Sequence, residues 1–133
     1  IQKNFKIMKI YGIGTDIISV DRIQKSLKNK KLINRLFSKE EITKCSNLNN
    51  SSNCFAKRFA AKEAFSKALG TGISKGINFN EIIVLNEKSG KPIIKIKGKT
   101  MKLIKKKLKK KAKIDLSISD EKKYAVAFVT ISL

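Results

Sequence analysis

The chain has 133 residues, 41% hydrophobic and 31% charged, which suits one globular domain over residues 1–133 and is too short for two ordinary ones. A formal net charge of +21 draws polyanions or acidic protein surfaces, although a composition rich in lysine, asparagine and isoleucine also carries the mark of AT-rich coding. No histidine is present and no apolar run approaches the ~18 residues of a membrane span, so imidazole chemistry and a transmembrane helix are both excluded.

In chain order, the start at Ile1 suits a trimmed chain or the mature part of a longer precursor. Residues 1–9 read as an N-terminal extension without the apolar core of a secretory signal. Residues 7–13 predict a short strand, and Val20 to about Leu36 one helix with Ile23, Leu27, Ile33 and Leu36 on its apolar stripe. Asp16 falls at their junction. Ser38 and Glu41 have the spacing of a capping box, a structural role. Cys45 and Cys54 form no CxxC pair, so zinc and redox motifs are unsupported and free thiols in a reducing compartment are expected.

Asn47 to Asn53 predicts a loop, and Cys54 to Leu69 a largely buried helix, apolar nearly all round and ended by Gly70. Glu81–Leu85 and Pro92–Lys97 read as strands joined by a glycine-containing turn, and Met101, Ile104 and Leu108 repeat at helical spacing. Ile114, Leu116 and Ile118 alternate with polar residues, and a turn at Asp120–Lys123 pairs that strand with Tyr124–Leu133. Helices mixed with hairpins favour an α+β fold over a doubly wound parallel sheet.

Within the helix from Cys54, Arg58 and Lys62 stand at i,i+4, a repulsive spacing that on a buried helix points to an anion. Glu63 and Lys67 have the attractive order, which by itself describes an ordinary helix ion pair. Asp16 adds a second acid, and magnesium takes one or two carboxylates together with water and phosphate oxygens. Gly70 and Gly72 serve either close approach to a ligand or a plain helix cap.

Gly12-Ile13-Gly14-Thr15-Asp16-Ile17 with Arg22, followed by Arg58-Phe59-Ala60-Ala61-Lys62-Glu63-Ala64-Phe65-Ser66-Lys67-Ala68 and Gly70-Thr71-Gly72, resembles the holo-acyl-carrier-protein synthase family of 4'-phosphopantetheinyl transferases. Gly90-Lys91-Pro92 and the region from Leu116 to Ala125 extend the resemblance to the C-terminus. It implies a small mixed sheet packed on a long buried helix, and a homotrimer with active sites between subunits. It further implies Mg2+ on Asp16 and Glu63, coenzyme A phosphates on Arg58, Lys62 and Lys67, and Gly70 and Gly72 near the nucleotide. The implied reaction moves 4'-phosphopantetheine from coenzyme A to a serine of apo acyl carrier protein in fatty acid biosynthesis, leaving adenosine 3',5'-bisphosphate.

Many members of that family carry histidine before the penultimate strand, where this chain has Asp115. The base for the serine proton is then a metal-associated water oriented by Asp16 or, second, Asp115 itself. Acyl carrier proteins are acidic, and Arg22, Lys25 and Lys28 at i,i+3 spacing form the candidate carrier face, the alternative being a solvated one. The eight lysines from Lys102 to Lys113 read as a lysine-rich surface helix. A basic amphipathic helix for nucleic acid or membrane is the rival, and it lacks any recognised nucleic-acid signature. A non-catalytic coenzyme A binder is a third class, opposed by retention of both acids. The composition and the start at Ile1 suit a parasite plastid, and a bacterial cytoplasm suits the composition equally.

Overall fold

The computed structural model describes residues 7–70 and 76–133. Strand β1 (Ile10–Ser19) is followed by α1 (Val20–Ser26), α2 (Lys30–Leu36), α3 (Lys39–Ser46) and α4 (Ser51–Leu69). A 3-10 turn at Phe79–Glu81 leads to the hairpin β2 (Ile82–Asn86) and β3 (Pro92–Ile96). Helix α5 (Gly98–Leu108) and the hairpin β4 (Lys113–Asp120) and β5 (Tyr124–Ser132) complete the chain. This is the α+β architecture expected, but in place of one small mixed sheet the described residues form two, each antiparallel: one in the order β1-β5-β4, the other β2-β3.

Helix α4 lies across the larger sheet and buries most of its length, with Ala60, Ala61, Ala64 and Phe65 fully enclosed. Alanine at 64 and 68 lets strand and helix backbones approach closely. An added Cβ on Gly14 would collide with the Ala64 carbonyl oxygen and stand 2.7 Å from the Ala68 nitrogen. One on Gly12 would meet Ala68 in the same way. The glycine spacing of β1 thus sets how closely the strand rides on the helix.

Three local readings differ from the structure. Strand β1 runs on through Asp16 to Ser19, because β5 offers it a full antiparallel partner as far as the Ser19–Tyr124 pair. The single helix expected from Val20 to Leu36 is two, since Asn29 breaks the run and caps α2 by accepting from the Leu32 N–H. The cysteines expected as free thiols are joined, Cys45 to Cys54, where the turn after α3 brings their Cα atoms to 5.4 Å. The capping box forms as read, with Ser38 and Glu41 reciprocally bonded at the start of α3.

Candidate active site

Successive residues of a strand face opposite ways, so Asp16 shares with Gly12 and Gly14 the face of β1 turned toward α4. On α4, Glu63 and Lys67 lie one turn apart and border the stripe of Ala64 and Ala68 on which the glycines rest. Strand and helix therefore bring Asp16, Glu63 and Lys67 together.

The Lys67 ammonium donates to Asp16 Oδ1 at 3.2 Å and to the Thr15 carbonyl at 3.0 Å. It keeps 57% of its side-chain surface exposed, while Asp16 keeps 18%. The Glu63 carboxyl titrates above its ordinary range because burial and then the Asp16 charge disfavour ionisation, against the pull of Lys67. Two carboxylates whose charges oppose each other, with one cation already on Asp16, form an anionic seat that gains from a further positive charge. Its hard oxygen donors fit magnesium, which completes its shell with water and phosphate rather than with more protein. Among the described residues no cluster of three or more His, Cys, Asp or Glu side chains occurs, so any cation here relies on two protein carboxylates.

The Lys62 assignment requires correction. Its ammonium is wholly enclosed and donates to Glu41 Oε1 at 2.7 Å and to the carbonyls of Phe79 at 2.7 Å and Ile82 at 2.6 Å. The anion implied by the Arg58–Lys62 spacing is therefore the protein's own Glu41, which also accepts from the N–H groups of Ser38 and Val84. Burial draws Lys62 down to about 8 despite that partner. Arg58 is also buried, donating to Cys54 Sγ at 3.3 Å and Asn86 Oδ1 at 3.2 Å, on the α3 and β2 side of the helix. Its Nε has no partner among the described residues. Within this chain neither cation is presented to Asp16 and Glu63. Residues 58 and 62 form one stripe of α4, and 63 and 67 form another.

Asp115 is likewise apart from the pair. It lies on β4, the far edge of the sheet from β1, opposite Thr130, with Lys113 Nζ 3.9 Å from its carboxylate. Alternation with the core-facing Leu116 puts it on the outer face, whereas Asp16 is on the inner. Arg22 and Lys25 are exposed on α1, which starts directly after the strand carrying Asp16. Lys28 follows the helix, and with Asp21, Gln24 and Lys25 it lines a depression of about 250 Å³. Gly70 ends α4 at φ 85°, where an added Cβ would meet nothing within 4 Å among the described residues. Gly72 lies outside the described residues.

The site's two elements fall inside one recognised sequence pattern, since the profile of the 4'-phosphopantetheinyl transferase superfamily matches residues 12–129. The chain belongs to the 4'-phosphopantetheinyl transferase superfamily. Within it, this phosphopantetheinyl transferase is of the holo-[acyl-carrier-protein] synthase type. It is 50% identical over 125 residues to the holo-[acyl-carrier-protein] synthase of Pelagibacter ubique, covering 93% of this chain and 98% of that one. The crystal structure of the Bacillus anthracis holo-(acyl-carrier-protein) synthase, in complex with CoA (3',5'-ADP), matches with a TM-score of 0.78 and 38% identity over 95% of this chain and 98% of that one. The synthase from Neisseria meningitidis matches with a TM-score of 0.81 and 37% identity over 92% of this chain and 98% of that one.

Proposed function

We propose that this enzyme transfers 4'-phosphopantetheine from coenzyme A to a serine hydroxyl of an apo acyl carrier protein, with Mg2+, releasing adenosine 3',5'-bisphosphate and serving fatty acid biosynthesis. The observation that carries this reading is the meeting of Asp16, Glu63 and Lys67 where β1 crosses α4. Coenzyme A in the Bacillus anthracis relative supports the donor.

Asp16 and Glu63 would hold magnesium, which when bound offsets the charge gathering on the pyrophosphate during in-line attack. Lys67, its side chain more than half exposed, would turn from Asp16 to a phosphate oxygen. The serine proton passes to water held by the Asp16 carboxylate. Asp115 ranks second because it faces the opposite side of the sheet within its own chain. The exposed Arg22 and Lys25, beside the strand end that carries Asp16, would receive an acidic carrier together with Lys28.

Copies of the chain assemble through the outer face of the larger sheet. There Ile13, Ile17, Tyr124 and Phe128 are 59%, 66%, 52% and 45% exposed, a contiguous apolar surface of the kind that marks an interface. The trimer implied by the resemblance would cover it and bring Asp115 beside a neighbouring subunit.

The test is to incubate the enzyme with coenzyme A, magnesium and apo carrier and to weigh the carrier. One added phosphopantetheine group is expected, lost with a chelator and in Asp16→Ala and Glu63→Ala. Coenzyme A binding without mass gain would instead make the chain a non-catalytic binder, and transfer at a near-normal rate by either variant would end the metal assignment.

A further inference from the structure

The two sheets do not merge. Strands β3 and β4 run side by side without pairing, each an edge of its own sheet. Helix α5 borders the same space as both strands, held at its start by Glu81, which accepts from the N–H groups of Lys99 and Thr100 and from the Thr100 hydroxyl. Helix and strands line a pocket of about 480 Å³, the size of a small-molecule site rather than of a flat protein interface.

Its walls and its rim differ in chemistry for sequence reasons. Alternation in β3 turns Ile94 and Ile96 inward and Lys95 outward, and the helical spacing of Met101, Ile104 and Leu108 turns those side chains into the same space. Lys109 then takes the left-handed conformation, φ 59°, and reverses the chain so that Lys110 and Lys111 return to the pocket mouth. With Lys95 and Lys105 they give four lysines, and no acidic side chain lines the pocket. None of the four joins an ion pair among the described residues.

We propose that this pocket binds a single-chain anionic amphiphile, its hydrocarbon tail between β3, α5 and β4 and its phosphate or carboxylate head on Lys95, Lys105, Lys110 and Lys111. The ligand is taken from solution as a monomer, because the apolar surface is concave and shared among β3, α5 and β4, whereas a lamellar membrane needs an outward apolar face. The site is separate from Asp16 and Glu63, which lie on β1 and α4 and line no part of it.

The experiment is calorimetric titration of the full chain with dodecyl phosphate below its micellar concentration, with inorganic phosphate and dodecyl maltoside as the two half-ligands. One equivalent of dodecyl phosphate should bind at least about tenfold more tightly than either half. Methyl resonances of Ile104 and Ile114 should shift on binding. Lys105→Glu/Lys110→Glu/Lys111→Glu should weaken it about tenfold, while Lys31→Glu/Lys122→Glu/Lys123→Glu, equal in net charge and outside the pocket lining, should not. Equal weakening by both triple variants, binding of phosphate alone at the same strength, unmoved methyls, or binding to anionic phospholipid vesicles that dodecyl phosphate fails to compete would each overturn the proposal.

Discussion

Gly14→Ala tests whether the catalytic geometry depends on the contact between strand and helix. The added methyl would overlap the Ala64 carbonyl oxygen, and its 2.7 Å approach to the Ala68 nitrogen would have to open to the 3.4 Å at which ordinary contact begins. Both obstacles are main-chain atoms of α4, so no side-chain rotation relieves them. The strand must retreat from α4 by roughly 0.7 Å or more, and Asp16, two residues along the same face, retreats with it; displacements near 1 Å cost on the order of 100-fold in rate. A fall in kcat/KM of about 10–100-fold is expected, with about 1–3 kcal/mol of stability lost to overpacking. The assay is phosphopantetheine transfer at a temperature where circular dichroism shows the variant folded, paired with urea unfolding. Wild-type kinetics in folded Gly14→Ala would refute the reasoning. So would rescue by adding Ala64→Gly, since that change removes a methyl and leaves the offending oxygen in place.

Lys62→Met leaves the Glu41 carboxylate buried with only the Ser38 and Val84 N–H groups, and an uncompensated buried charge costs about 3–5 kcal/mol. Urea unfolding should show that loss, while the KM for coenzyme A of the folded variant stays unchanged; a stable variant with a raised KM would return Lys62 to the phosphates. Glu63→Gln should abolish transfer yet stabilise the metal-free protein at neutral pH. Folding raises the Glu63 carboxyl above its unfolded value, so its contribution is present below about pH 4.3 and is lost as pH climbs through the folded value. The Tm difference between variant and wild type should therefore open as pH rises from about 4 toward 7; a constant or reversed difference would contradict the burial argument.

The parts of this fold legible in the sequence were those written as local periodicity. The alternation of Ile114, Leu116 and Ile118, the turn before Tyr124, the Ser38–Glu41 cap and the buried α4 all follow from neighbours in the chain. The extension of β1 past Ile13 did not, because Gly14, Thr15 and Asp16 read as a junction between strand and helix until β5, more than a hundred residues away, supplies their hydrogen-bond partners. The Lys62–Glu41 pair was hidden differently. Glu41 already had an adequate local role as a capping residue, and its second oxygen, on the Val84 N–H, belongs to tertiary structure. The repulsive Arg58–Lys62 spacing did signal an anion, and only the fold shows that the chain supplies it. Joining of Cys45 to Cys54 depends in the same way on how the turn after α3 folds back.

The remaining question about the chemistry, where the serine proton goes, turns on the two faces of one sheet. In β1 the even positions 12, 14 and 16 meet α4, and the odd positions 13 and 17 face outward as exposed isoleucines. One strand therefore builds the carboxylate site on one side and the apolar surface proposed for assembly on the other, and a shift of one residue in the β1–β5 register would exchange them. Asp115 is on the outward set of β4. Within a single chain it is separated from Asp16 by the thickness of the sheet, so a proton reaching it would have to leave through the face proposed for assembly. If Asp115 does act, Asp115→Ala activity should be restored by mixing with Asp16→Ala chains, because each inactive chain would then lend its intact acid to a neighbour. Absence of restoration, with Asp115→Ala alone near full activity, leaves the water on Asp16 as the acceptor.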